Sequence, residues 1–254
     1  MMFRQYLILL LFAHIVSDFY VQTEKISVRK NKSIKWVMVY CLYYFGVMLL
    51  VAVPVISYEI VAGAVIASVF HLLIDILKFW CISEINKKDK MSKEAERNLF
   101  FADQALHLIS LTGVAYWQSK NNIIINEWKI ISDFFDTAGL SGFSVVSWLL
   151  ALLLIHKPAN IAIQKLLAIY KPVSDEEELN KAGRFIGTIE RVIMLIFLSI
   201  NQYSAIGLVL TAKSIARYDK ISKEKDFAEY YLLGTLLSTV IVIIISLFIP
   251  VHVI

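Results

Sequence analysis

Charge is scarce in this 254-residue chain, where only 18% of the residues are Asp, Glu, Lys or Arg. Soluble domains carry roughly 25%. That shortage, set against 58% hydrophobic residues, argues against a soluble globular enzyme, a disordered chain and a collagen-like chain. Cysteine is scarce too. Cys41 and Cys81 form no disulfide framework and no zinc-ribbon spacing. The excess of basic over acidic residues is only +4. So small an excess gives no reason to expect a nucleic-acid partner.

What the chain has in abundance is apolar runs, with a mean hydropathy of +0.67. A bilayer core of about 30 Å needs roughly 20 mostly apolar helical residues. Such runs lie near 5–22, 34–55, 59–82, 98–118, 144–169, 185–200, 201–218 and 229–250. They lack period-two alternation, so helices rather than barrel strands are expected to satisfy the backbone in lipid. The sixth and seventh runs are short and meet at Asn201-Gln202-Tyr203-Ser204, which predicts a tight hairpin. The first run has Arg4 before it but carries His14 and Asp18 and no small-x-small cleavage site. It is expected to be a retained span rather than a signal peptide.

Charge placement supports this division. Segments 23–35, 83–97, 170–184 and 213–229 hold 18 Lys and Arg residues, whereas the alternate connections and termini hold Arg4, Lys120 and Lys129. The positive-inside rule places the four basic segments in the cytoplasm. The expected fold is therefore all-α: a polytopic transmembrane bundle of about eight helices with both termini outside. Residues 1–120 would form a four-helix core, 121–143 an outer connection, and 144–254 a second half of four helices. In the outer connection Ile124, Trp128, Ile131 and Phe135 recur at helical spacing. That pattern predicts either a short interfacial helix or an ordered loop.

Ionisable groups within a bilayer cost roughly 2.5–3.5 kcal/mol each on insertion scales, so the exceptions carry information. The first run holds His14 and Asp18, followed by Gln22. The third holds His71 and Asp75, followed by Lys78. The fourth holds Asp103, Gln104 and His107. Each His/Asp pair is spaced i, i+4, which stacks both side chains on one helix face. The fourth run travels the opposite way and its order is reversed, so all six groups fall in the cytoplasmic half. Imidazole with carboxylate suits Zn²⁺, Mn²⁺ or Fe²⁺, as one octahedral ion or two ions sharing carboxylates. Some Asp could instead fix a His tautomer. Two other readings remain open, a proton relay and interhelical hydrogen bonding that pins the bundle. No organic cofactor is expected.

The second half has polar residues of its own. Arg184, Glu190 and Arg191 open the sixth run, and Lys213 and Arg217 close the seventh. The hairpin would bring them to one end, where guanidinium forks suit a phosphate or anionic headgroup. Snorkelling with a Glu190 salt bridge explains them equally well. Gly183 and Gly187 have the spacing of close helix packing. Pro158 follows Lys157 inside the fifth run. Either the span breaks there with Lys157 near mid-membrane, or it ends early and 159–169 lies along the surface.

At these residues the sequence resembles the bacterial multi-pass membrane proteins grouped as Domain of Unknown Function 3307. The likeness rests on His14/Asp18/Gln22, His71/Asp75/Lys78 and Asp103-Gln104/His107, within roughly the first 120 residues. Stretches 183–187 to Glu190-Arg191, 212–217 and Glu229 to Gly234-Thr235 resemble the C-terminal part of longer members. The resemblance implies a bacterial inner-membrane protein and supplies no established reaction. Cys41 stands where a polar or His position is expected, which implies a smaller contribution from the second helix. By analogy of style, the layout is similar to membrane-bound metal hydrolases with repeated His-x-x-x-Asp helices.

Three functions are therefore expected to compete. In a metal-dependent hydrolase of a phosphate-bearing, lipid-like substrate, the ion would lower the pKa of a water toward about 7. Lys78 and Gln104 would be its catalytic residues. The metal ligands would come from His14, Asp18, His71, Asp75, Asp103 and His107. Lys157, Arg184, Glu190, Arg191, Lys213 and Arg217 would bind substrate. A proton- or cation-coupled transporter or channel would use the same residues, although no inverted repeat is visible, only a parallel echo of His14/Asp18 in His71/Asp75. A non-enzymatic scaffold subunit is the third.

Overall fold

The computed structural model describes residues 2–88, 91–121, 123–125, 127–170 and 177–251, with side chains for all of these except Glu24, Lys88 and 177–182. Among the described residues the chain is all helix, turn and loop, with no strand. The helices are α1 (Met2–Ile15), α2 (Glu24–Lys30), α3 (Ile34–Ala52), α4 (Tyr58–Lys88), α5 (Lys93–Lys120) and α6 (Lys129–Thr137). They continue as α7 (Gly142–Leu167), α8 (Glu177–Ser199), α9 (Tyr203–Ala216), α10 (Tyr218–Lys223) and α11 (Lys225–Phe248).

Five helical segments are long and apolar enough to cross a membrane: Met2–Val21, Ile34–Val55, Tyr58–Lys87, Gly142–Leu167 and Lys225–Phe248. The other three expected spans are helices as well, but each departs from the simple rule. Helix α9 has 14 residues, about 21 Å at 1.5 Å per residue. Helices α5 and α8 are long enough but carry Asp103, His107 and Gln118, or Glu190 and Arg191, on buried faces. At most 44% of each apolar window is buried by the rest of the chain. Leu50, Leu77, Trp80, Leu236 and Leu247 are all exposed. Such continuous apolar faces need lipid or a partner to cover them.

The chain divides into two compact units, Met1–Val146 and Ser147–Ile254. In the first, α1, α3, α4 and α5 pack around Tyr6, Leu10, Tyr44, Met48 and Leu111. Small residues, Ala13, Ala64, Ala67 and Ala115, allow close approach of the helices. The last turn of the first span widens into a π-helix over Val16–Val21, closed by Gln22 N–H donating to Ser17 O at 2.9 Å. Ser92 Oγ caps α5 by accepting from Ala95 N–H at 3.1 Å. Thr23 does the same for α2. Helix α2 occupies part of a segment otherwise read only as a basic connection.

The connection after α5 is held from both sides. Tyr6 Oη donates to Ile123 O, and Trp128 N–H donates to Pro54 O at 2.9 Å. Its helix starts at Lys129, so Ile124 and Trp128 precede the helical stretch that their spacing suggested. The extended ψ of 137° at Trp128 is the reason.

In the second unit α7 runs unbroken through Pro158, contrary to both expectations for that run. Arg191 Nε–H donates to Ile155 O at 2.6 Å, next to the Leu154 carbonyl that Pro158 leaves without its helical donor. Proline is tolerated in apolar spans when other groups satisfy the backbone. Lys157 therefore sits exposed on a continuous helix rather than in a gap. The expected hairpin joins α8 to α9, with Asn201 at φ 60°. Asn is among the few residues that adopt this region readily. Of the basic residues counted along the sequence, Lys90 and Lys171 lie outside the described residues, as do the side chains of Lys88 and Lys181.

Candidate functional site

The polar residues of the first unit converge. His14, His71, Asp75, Asp103 and His107 are all nearly fully buried, and they come from α1, α4 and α5. Helical stacking places each His one turn from its Asp. His71 Nε2 lies 3.6 Å from Asp75 Oδ2, and His107 Nε2 lies 3.5 Å from Asp103 Oδ1. The other ring nitrogens face each other, with His71 Nδ1 to His107 Nδ1 at 3.1 Å. His14 joins from the third side. Its ring centre is 5.0 Å from that of His107 and 5.8 Å from that of His71. One nitrogen from each of the three lies within 4.8 Å of the others, and the same holds for ligand atoms of Asp75, Asp103 and His107.

Each of two carboxylates has a lysine behind it. Lys30 Nζ meets Asp75 Oδ2 at 2.7 Å, and Lys78 Nζ meets Asp103 Oδ2 at 2.7 Å. The result is a near-symmetric series, Lys30–Asp75–His71–His107–Asp103–Lys78. Lys30 also donates to Gln22 Oε1 at 3.0 Å and lies over the Tyr40 ring.

Asp18 is placed differently. An α-helical register would stack it over His14, but the π-turn turns it toward the other helices. Tyr40 Oη donates to Asp18 Oδ1 at 2.7 Å, Gln104 Nε2 donates to Oδ2 at 3.3 Å, and His71 Nε2 is 3.7 Å away. Wide turns of this kind recur at functional sites. Gln104 is shared, since its Nε2 also reaches Asp103 Oδ2 at 3.3 Å. All eight first-unit site residues thus meet in one place, but Lys78 and Gln104 are already committed to carboxylates.

Helix α3 contributes more than the Cys41 comparison implied. Tyr40 and Tyr44, themselves spaced i, i+4, both enter the cluster. The Tyr44 ring stacks on His71 at 3.7 Å between centroids, and its Oη lies 3.3 Å from His14 Nδ1. Cys41 points elsewhere, toward Ser68 O at 3.5 Å. Three buried atoms in the cluster, His71 Nε2, His107 Nε2 and Asp103 Oδ1, have no hydrogen-bond partner among the described residues. Buried polar atoms are normally paired, so these three need an explanation.

The expected substrate-binding set of the second unit does not stay whole. Arg191 is fully buried and committed to protein acceptors: Ile155 O, Ser238 Oγ at 3.2 Å, Asn160 Oδ1 at 2.8 Å and Thr188 Oγ1 at 3.2 Å. Glu190 pairs with Lys213 at 2.6 Å. Arg217 lies near the Tyr231 ring, and Arg184 is exposed near the start of the described side chains of α8.

No curated protein and no solved structure matches the chain. A family model, described as Protein of unknown function (DUF3307), does match. It ends at residue 132, before the second-half stretches, and encloses every member of the His/Asp cluster. Residues 6–132, half of the chain, carry this match, and the chain belongs to that family.

Proposed function

We propose that His14, His71 and His107 bind a divalent transition metal, Zn, Mn or Fe, with Asp75 and Asp103 orienting two of the rings. The facing Nδ1 atoms carry this reading. With the ring protons on the Nε2 atoms that face Asp75 and Asp103 at 3.6 and 3.5 Å, both Nδ1 lone pairs point at each other across 3.1 Å. Two bare lone pairs repel at that distance, and a cation between them removes the conflict. Two nitrogens on one tetrahedral ion at about 2.0–2.1 Å stand roughly 3.3 Å apart. Carboxylate–histidine–metal series of this kind fix the tautomer and raise ligand basicity.

The same charges favour an anionic substrate. Three carboxylates against two ammonium groups leave one negative charge, and a divalent ion turns that into one positive charge. A phosphate-bearing, lipid-like substrate would satisfy it, with the ion supplying Lewis acidity. The protein is then a metal-dependent hydrolase of the bacterial inner membrane, its eight spans leaving both termini outside and the cluster toward the cytoplasm. The positive-inside pattern supports that orientation.

Elemental analysis of detergent-purified protein tests the metal. Wild type should hold a transition metal that His71→Ala loses and that Asp103→Asn binds about 10–100-fold more weakly. Equal metal content in wild type and His71→Ala would sink the proposal. Hydrolysis of lipid-linked phosphate esters by metal-loaded protein tests the reaction.

A second reading is supported by the Lys–Asp–His–His–Asp–Lys series, with no neighbour more than 3.6 Å from the next, which suits a proton or cation path in a transporter or channel. Proteoliposome flux abolished by Asp75→Asn, in protein free of metal, favours it. In a scaffold subunit, His71→Ala would cost stability alone.

A further inference from the structure

The second unit carries a polar cluster that the histidine site does not use. Its charges are unbalanced. Arg191 is buried against four uncharged acceptors. Glu190 is the neighbouring carboxylate, and Lys213 already occupies it at 2.6 Å. Arg217 adds a further cation, half-buried at the end of α9. Three cations thus accompany one carboxylate at partly buried positions, an imbalance that favours an anion.

Hydroxyl donors complete the arrangement. Tyr231 Oη and Thr235 Oγ1, one turn apart on α11, are buried atoms that lie beside each other. Lys213 Nζ lies 5.2 Å and Arg217 Cζ 5.9 Å from the centre of the Tyr231 ring. The Ser214 side chain lies near Tyr231 as well. Lysine snorkelling explains cations at a helix end, but it gives no reason for two buried hydroxyls beside them. A tetrahedral oxyanion accepts from hydroxyl, ammonium and guanidinium donors together.

We propose that Lys213, Arg217, Tyr231 and Thr235 form a phosphate-binding site in the second unit, suited to the headgroup phosphate of an anionic lipid. Glu190 and Arg191 act as positioning residues. Glu190 anchors Lys213, and Arg191 ties α8 to α7 and α11. Free phosphate shares this chemistry. The site does not depend on the metal reading, and either can fail alone.

Native mass spectrometry of the full-length protein, delipidated in detergent and titrated with single lipids, tests the site. Wild type should retain phosphatidylglycerol in preference to phosphatidylcholine. Tyr231→Phe and Thr235→Val should each weaken that retention about tenfold, the effect of one hydrogen bond to a charged group. Arg217→Gln should weaken it at least as much. Tyr231→Phe keeps the ring and the packing, so its effect separates a hydroxyl donor from snorkelling or cation–π contact. Inorganic phosphate that binds with the same variant pattern, while phosphatidylglycerol does not, would support the site and assign it to free phosphate. Equal retention of both lipids with no phosphate binding would overturn the proposal. So would binding that Tyr231→Phe and Arg217→Gln leave unchanged.

Discussion

Lys30 is the residue whose surroundings contradict its surface appearance most. It lies in a run of basic residues of the kind that ordinarily line the cytoplasmic face, yet its side chain is only 9% exposed and pairs with an Asp75 side chain that is 2% exposed. Removing one partner of a buried pair leaves the other charge uncompensated, at a cost of about 3–5 kcal/mol. Lys30→Met should therefore destabilise the first unit by that order, and Asp75→Asn added to it should recover much of the loss. Unfolding followed in detergent checks both, and additive losses would show that the pair is not coupled. Tyr40→Phe probes Asp18 more gently. It keeps the ring beneath Lys30 and removes the 2.7 Å donor to the carboxylate. If Asp18 helps hold His71 in place, metal affinity should fall about tenfold or more with little change in stability. An affinity identical to wild type would remove Asp18 from the site.

Among the elements, α4 and α5 hold the two facing histidines, and Gly63 of α4 leaves the room that the Gln118 amide of α5 fills. A β-carbon on Gly63 would come within 2.7 Å of Gln118 Cδ, and Gln118 is itself buried, with its Nε2 donating to Glu59 O at 3.3 Å. Gly63→Ala should thus displace Gln118 at a cost of about 1–3 kcal/mol. Gln118→Ala in the same chain should restore most of it. Circular dichroism melts of the three variants check this, and a double variant no better than Gly63→Ala would locate the strain elsewhere. At this scale the sequence is only partly legible. The His/Asp pairs stand out because ionisable groups interrupt apolar helices, and their shared spacing foretells one cluster. Tyr40 and Tyr44 do not stand out, because aromatic residues are ordinary in an apolar span and nothing in their spacing distinguishes cluster from packing. Lys30 is hidden by its basic neighbours. The π-turn that aims Asp18 is a backbone irregularity with no composition of its own. Pro158 misleads in the other direction: the helix continues through it, and Arg191, 33 residues further along the chain, donates to Ile155 O in the same turn.

For the molecule as a whole, the two compact units differ in what they hold. The first, Met1–Val146, contains all of the His/Asp cluster and the whole stretch matched by the family model. The ion-pair, hydrogen-bond and ring contacts of the three histidines come from α1, α3, α4, α5 and the π-turn, all of which precede residue 121. The second unit has its own buried centre around Arg191. If packing within the first unit is what positions the rings, a fragment of residues 1–146 in detergent should keep its helical content and bind Zn²⁺ or Mn²⁺ within about tenfold of the full chain. Removal of one independent folding unit leaves the other's local interactions intact. His71→Ala in that fragment should abolish binding, which separates the histidine site from adventitious metal on surface carboxylates. A fragment that is helical and monodisperse yet holds no metal, while the full chain does, would mean that the second unit completes the site. The two-unit division would then describe packing without describing function.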